Sequence, residues 1–208
     1  MTPAQAPTDG PVSRRPPAGE IRDAILDATI RIIGRGGVAA VTHRAVAQEA
    51  GVSLSSTTYH FASKDAIVGD AARRVATIEV ESAAADAARF ATIDTEADAT
   101  SFTESLLDWL CPQLEGPRLL TVRAGYHLQL EAAHRAELRA IYREWGQQVL
   151  AVTQSALERI GSRQPAADAH ILAAAVDGLR LEQLTDPQPG FRDRARPLLA
   201  RLVEALVA

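Results

Sequence analysis

The chain has 208 residues, a hydrophobic content of 47%, a formal net charge of −4 and a single cysteine. That length and apolar content suffice for one large or two modest cores. The lone Cys111 excludes an intrachain disulfide and any Cys-x-x-Cys redox or metal site, and no apolar run is long enough for a bilayer span, so a cytoplasmic protein without membrane contact is expected.

Residues 1–18 hold five prolines and Gly10 with no apolar core. They are expected to form a disordered tail, neither a signal peptide nor an anchor. From residue 19 the pattern changes. Ile21, Ile25, Leu26, Ala28, Thr29, Ile32 and Ile33 make a helical apolar stripe, which Gly34, Gly36 and Gly37 are expected to stop. Thr42 can cap a short helix through Ala50 by accepting a backbone N–H. Gly51 sits where a helix ends in the left-handed conformation that glycine adopts without steric cost. Ser53 can cap a second short helix ending in Tyr59, His60 and Phe61, and Ser63, Lys64 and Asp65 open a long third one. Two short helices around a glycine turn are the parts of a DNA-binding helix-turn-helix. The second carries mostly hydroxyl side chains, a poor core but a good set for phosphates and base edges.

Charge supports that reading. Between Arg14 and Lys64 there are seven basic and four acidic residues (net +3), against fifteen and twenty-two in the rest (net −7). A basic head on an acidic body suits a protein that presents one end to DNA. Lys64 is the single lysine and falls at a helix N-terminus, where an ammonium is disfavoured unless an anion such as a DNA phosphate is near.

The runs Ala50-Gly51-Val52-Ser53, Tyr59-His60-Phe61 and Ser63-Lys64-Asp65 resemble the N-terminal domain of the TetR (tetracycline-repressor-like) family of transcriptional regulators. The resemblance implies that Thr42, Ser53, Tyr59, His60 and Lys64 touch the DNA backbone, with Arg44, Ser55, Ser56 and Thr58 as candidates for base contact. Ser55 departs from the family's usual glycine, Thr57 from a frequent leucine and Thr58 from a tyrosine.

Beyond Asp65 the chain reads as helix after helix: Asp65 to Arg89, a break over residues 92–100, Phe102 to Cys111 ended by Pro112, Pro117 to Glu131, Ala136 to Ile160, Ala166 to Thr185 and Phe191 to Val207. The expected fold is all-α. The expected division is a tail (1–18), a three-helix helix-turn-helix DNA-binding domain (19–65) and a helical ligand-binding and dimerisation domain (66–208).

The middle helices hold the scarce large aromatics. Phe102, Leu106 and Trp109 lie at helical spacing, as do Arg123, Tyr126 and His127, with Trp145 and Gln148 expected to face the same region. Such a cavity takes an apolar or aromatic small molecule, and Arg123, His127 and Gln148 point to a carboxylate or carbonyl anchor on it. On the last two helices Ile171, Leu172, Val176 and Leu179, then Leu198, Leu202 and Leu206, form apolar stripes. A lone hydroxyl-rich reading helix binds too weakly for specificity, whereas a two-fold dimer reads two half-sites, and the resemblance implies that these helices pair as a four-helix bundle.

Other chemistry fares poorly. His127, Glu131 and His134 lack a fourth metal ligand, and no nucleophile elbow, His-Glu-x-x-His or phosphate loop is present. No cofactor, metal or catalytic residue is expected. The sequence points to a ligand-responsive, dimeric DNA-binding regulator, most simply a repressor released from its double-stranded operator by a small molecule. The alternatives are control by a partner protein, no ligand at all, or a helical-bundle enzyme.

Overall fold

A computed structural model of the chain describes residues 17–91 and 98–208. Residues 1–16 of the expected tail and most of the expected break over residues 92–100 lie outside these residues, and the last tail residue, Ala18, already belongs to the first helix. Among the described residues the fold is all-α, without a strand. Helix α1 (Ala18–Gly36) leads through a 3-10 turn (Val38–Ala40) to α2 (His43–Ala50), α3 (Leu54–His60) and the long α4 (Lys64–Ala91). Then come α5 (Ala99–Leu110), a 3-10 turn (Cys111–Leu114), α6 (Arg118–Glu131), α7 (Ala136–Arg159), α8 (Pro165–Thr185) and α9 (Phe191–Val207).

Local chemistry sets the boundaries. The Ala45 amide donates to Thr42 Oγ1 at 3.0 Å and the Ser56 amide to Ser53 Oγ at 3.1 Å, so both short helices carry side-chain N-caps. Asp98 and Ser101 close a capping box before α5, at 2.7 and 3.1 Å. Gly51 ends α2 with φ 67° and ψ 28°, in the left-handed region.

Gly34 departs from its expected role. It does not stop α1, which continues to Gly36 and ends at Gly37. Gly34 is instead where α1 crosses α6: a Cβ there would lie 2.3 Å from the Leu120 carbonyl oxygen. The residue is small because two backbones meet.

Two apolar cores result. The first collects Ile25, Ile33, Val41, Val46, Phe61 and Ile67, and also takes Ala124 and Leu128 from α6 and Leu138 from α7. Residues 19–65 therefore do not close it alone. The second is built from Leu107, Leu110, Leu157, Leu172, Leu199 and Val203 on α5 and α7–α9. Helix α4 gives Ile67, Val68 and Val75 to the first core and also packs on α5 and α7.

Candidate functional site

Helix α3 turns only part of itself inward. Thr57 is fully buried, its hydroxyl donating to the Leu54 carbonyl at 2.8 Å, so it serves the packing of α3 and not its outer surface. Tyr59 is 83% exposed and meets His60 edge to face at 5.1 Å. The other hydroxyls of this segment are occupied locally: Ser53 Oγ lies 2.9 Å from Ser55 Oγ and 2.8 Å from Ser56 Oγ, while Thr58 Oγ1 donates to the Ser55 carbonyl at 3.1 Å. These bonds are local and exposed, so a phosphate or base edge can take them over at small cost.

The positive charge at this end is narrower than composition implies. Arg22 pairs with Asp70, and Arg31 and Arg35 both pair with Glu49, Arg31 at 2.7 Å. The Arg31 hydrogen bond, with help from Arg35 and against the effect of burial, holds the Glu49 carboxyl below its ordinary range. Arg44 has no carboxylate partner among the described residues and is exposed. Lys64 Nζ donates to the Ala39 carbonyl at 3.4 Å, which relieves the ammonium at the start of α4 without neutralising it. Ser63 caps that helix, accepting the Ala66 amide at 3.1 Å. Among the described residues of this end, the arginine and lysine left for an anion are thus Arg44 and Lys64, on either side of α3 in the chain.

At the other end of α4 lies a cavity of about 290 Å³. Helix α4 contributes Glu79, Ala83, Asp86 and Ala87, and α5 contributes Phe102, Ser105, Leu106 and Trp109. Helix α7 adds Tyr142, Trp145 and Val149, and α8 adds Leu172, Val176, Asp177 and Arg180. Tyr142 and Trp145 stack edge to face at 5.1 Å, and the Tyr142 hydroxyl donates to the Gly125 carbonyl at 3.0 Å. Burial pushes both that phenol and Tyr126 well above the ordinary tyrosine range, so they are donors and not anions. Burial likewise raises Asp86, against the pull of Arg89. Of the charged groups in and beside the cavity, the carboxylates of Glu79, Asp86 and Asp177 stand against two guanidiniums, Arg180 and the Arg89 that pairs with Asp86, besides His170, which leaves one carboxylate in surplus. An aromatic wall with surplus negative charge favours a cation.

Residues 25–71 match the family model described as "Bacterial regulatory proteins, tetR family", and residues 95–205 match "Tetracyclin repressor-like, C-terminal domain". The chain belongs to the TetR family of transcriptional regulators. The multidrug binding protein EbrR, solved with ethidium, is 37% identical over 88% of this chain and 98% of its own, with a TM-score of 0.65. A TetR-family member from Streptomyces coelicolor A3 is 32% identical over 88% of this chain and 98% of its own, with a TM-score of 0.66. A transcriptional regulator from Saccharomonospora viridis shares the fold at a TM-score of 0.75 with 24% identity, over 89% of this chain and 96% of its own. No curated protein sequence matches the chain. As a TetR-family member the protein is a DNA-binding regulator, and among the described residues no helix is long and apolar enough to cross a membrane.

Within this TetR fold the expected ligand residues separate. Phe102, Leu106, Trp109 and Trp145 line the cavity. Tyr126 lies behind its wall, in a small pocket shared with Glu79 and Arg180, and its hydroxyl donates to Asp177 Oδ1 at 3.0 Å. Arg123, His127 and Gln148 do not reach the cavity: His127 lies against Gly37 at the end of α1, and Gln148 points to solvent one residue from the lining Val149. The expected anchor for a carboxylate is therefore replaced by carboxylates of the protein. Glu131, weighed as a metal ligand, accepts Arg135 Nε at 2.8 Å.

The stripe on α8 is also one step out of phase. Leu172 and Val176 are 2% and 5% exposed and look into the cavity, so they cannot form a seam between subunits. Leu179, Leu202 and Leu206 are partly buried against the second core. The outward apolar groups are Ile171, Leu181 and Leu198, each about half exposed, with Gly178 between the first two, where an added Cβ would meet nothing.

Sequence reasoning missed Glu79, Asp86, Asp177 and Arg180. A signal existed for Arg180, which falls on the Leu172–Val176 stripe at i+4 and so was due to point inward.

Proposed function

We propose that this regulator is a dimeric repressor which a lipophilic aromatic cation releases from its operator. The observation that carries the reading is α4 itself: it starts at Lys64 beside the reading helix and presents Glu79 and Asp86 to the cavity. A ligand that moves one end of a single 28-residue helix displaces the other. The charge of the cavity supports a cation, as does EbrR, solved with ethidium and also, at 36% identity, with proflavin. Thr42, Ser53, Tyr59, His60 and Lys64 would hold phosphates, and Arg44, Ser55, Ser56 and Thr58 would read bases. The division near Asp65 separates a reading head from a regulatory body that shares its core. The outward face of α8 and α9, with Ile171, Leu181 and Leu198, would pair with its two-fold copy.

The test is a gel-shift series on a duplex selected from a random pool. Lys64→Ala should weaken binding alike for all sequences and flatten the salt slope by about one, while Arg44→Ala should change sequence preference. An unchanged salt slope for Lys64→Ala would refute the phosphate assignment. For the dimer, sedimentation of Ile171→Arg and Leu198→Arg should show monomers where the wild type is dimeric, and a monomeric wild type at micromolar concentration would refute two-half-site binding.

A further inference from the structure

The cavity already contains a cation of its own. Arg180 is 6% exposed, and its guanidinium carbon sits 4.6 Å from the centroid of the Trp109 ring. Its Nη2 lies 3.5 Å from Glu79 Oε2 and donates to Gln113 Oε1, and Gln113 is itself held by the Trp109 carbonyl at 2.9 Å. Yet the guanidinium is poorly satisfied for so buried a charge. The ion pair is long, and Nε has no acceptor among the described residues. A buried arginine kept for structure alone is expected to make bidentate pairs and leave no donor idle. Here one of its main contacts is an aromatic face, which is the contact a ligand's positive charge would seek.

We propose that Arg180 is a resident surrogate for the effector: it occupies the subsite formed by Trp109 and Glu79 and is displaced when a ligand's positive charge enters. The inference rests on the cationic-effector reading above. It adds a residue that sets the threshold for binding. A displaced guanidinium has a destination, because Asp177 lies 4.0 Å from Nη1 with its carboxylate about half exposed, one turn earlier on the same helix. Swinging there moves the charge toward water instead of leaving it unpaired. Two consequences follow for selectivity. A neutral aromatic gains nothing at Glu79, and a cation that does not reach the Trp109 face leaves Arg180 in place. The exchange also changes the partner of Glu79, and Glu79 belongs to the helix that carries the reading head.

The experiment measures ethidium and the uncharged 6-phenylphenanthridine against the wild type and Arg180→Met, both without DNA and with folding checked by circular dichroism. Ethidium affinity should rise about tenfold in the variant, with the neutral compound changing by less than about twofold. A rise for both compounds would show that volume and not charge was relieved, and an equal or lower ethidium affinity would show that Arg180 merely builds the wall. Either overturns the proposal and leaves the cationic-effector reading intact. Absence of ethidium binding to both proteins would overturn that reading and the proposal with it. A second measurement needs no variant. In wild-type protein labelled with ¹⁵N-arginine, the Arg180 Nε–H should exchange slowly with water when free and rapidly at ethidium saturation. A protected resonance at saturation would overturn the proposal.

Discussion

In the N-terminal core the charges stay at the rim: Arg22 with Asp70, Arg31 and Arg35 with Glu49, and Arg74 with Asp27 at 2.7 Å join helices over an interior of aliphatic side chains and Phe61. In the C-terminal core the charges are inside: Glu79 and Arg180 are each less than a tenth exposed and line a cavity of about 290 Å³, and Arg180 donates to the buried, neutral Gln113 behind it. The first arrangement has one good packing. The second keeps unfilled volume and an imperfect ion pair, so a modest perturbation can favour another arrangement. On the function proposed above, this divides the labour, with rigidity where DNA geometry must be held and slack where a ligand would enter.

If that contrast is right, removing apolar volume should hurt unequally. Ile33→Ala in the closed core should cost about 2–5 kcal/mol, read by chemical denaturation at fixed protein concentration. Val149→Ala at the cavity wall should cost less than about 1 kcal/mol, because the space beside it is already open. Equal losses would abolish the distinction between the cores.

The crossing of α1 and α6 should come next in size. Gly34→Ala forces a methyl group against the Leu120 carbonyl, and overpacking of this kind costs about 1–3 kcal/mol. The same change at Gly178, where nothing lies nearby, should leave monomer packing unaffected. An unchanged melting temperature for Gly34→Ala would mean that the two helices separate freely.

The smallest expected effects have opposite signs in the two regions. Glu49 is held below its ordinary range, so its contribution is present above the usual carboxylate pKa and lost as pH falls through the lowered value. Glu49→Gln should therefore cost roughly 0.5–1 kcal/mol at neutral pH and remove part of the acid-induced loss of stability. Asp86 is raised by burial, so its favourable contribution is present at low pH and lost as pH rises through the raised value. Asp86→Asn should accordingly stabilise at neutral pH, and thermal melts across the acid range would show the two variants diverging in opposite directions. Parallel pH profiles would contradict the contrast in how the regions treat carboxylates.

The reading head was legible because its determinants are local. Thr42 and Ser53 as caps, Gly51 in a left-handed turn and the hydroxyl run after Leu54 all lie within a few residues of what they control. The cavity was legible at the scarce aromatics Phe102, Trp109 and Trp145, and at Leu106, which shares a helix face with the first two. Its charged residues were not, because an acid on an alanine-rich helix reads as solvent-facing until the opposite helix is known. Phase was the other obstacle. One residue along a helix turns a side chain by about 100°, which separates exposed Gln148 from lining Val149 and half-buried Leu179 from buried Arg180. The long-range approach of Gly34 to Leu120 leaves no trace in the spacing of either helix.

The central claim is a linkage between the cavity and the operator. Operator affinity should be measured by fluorescence anisotropy with and without tetraphenylphosphonium, a lipophilic aromatic cation that does not intercalate into DNA. Saturating cation should weaken operator binding by roughly 5–150-fold, and operator DNA should weaken cation binding by the same factor. Cation binding in the cavity with operator affinity unchanged at saturation would contradict it.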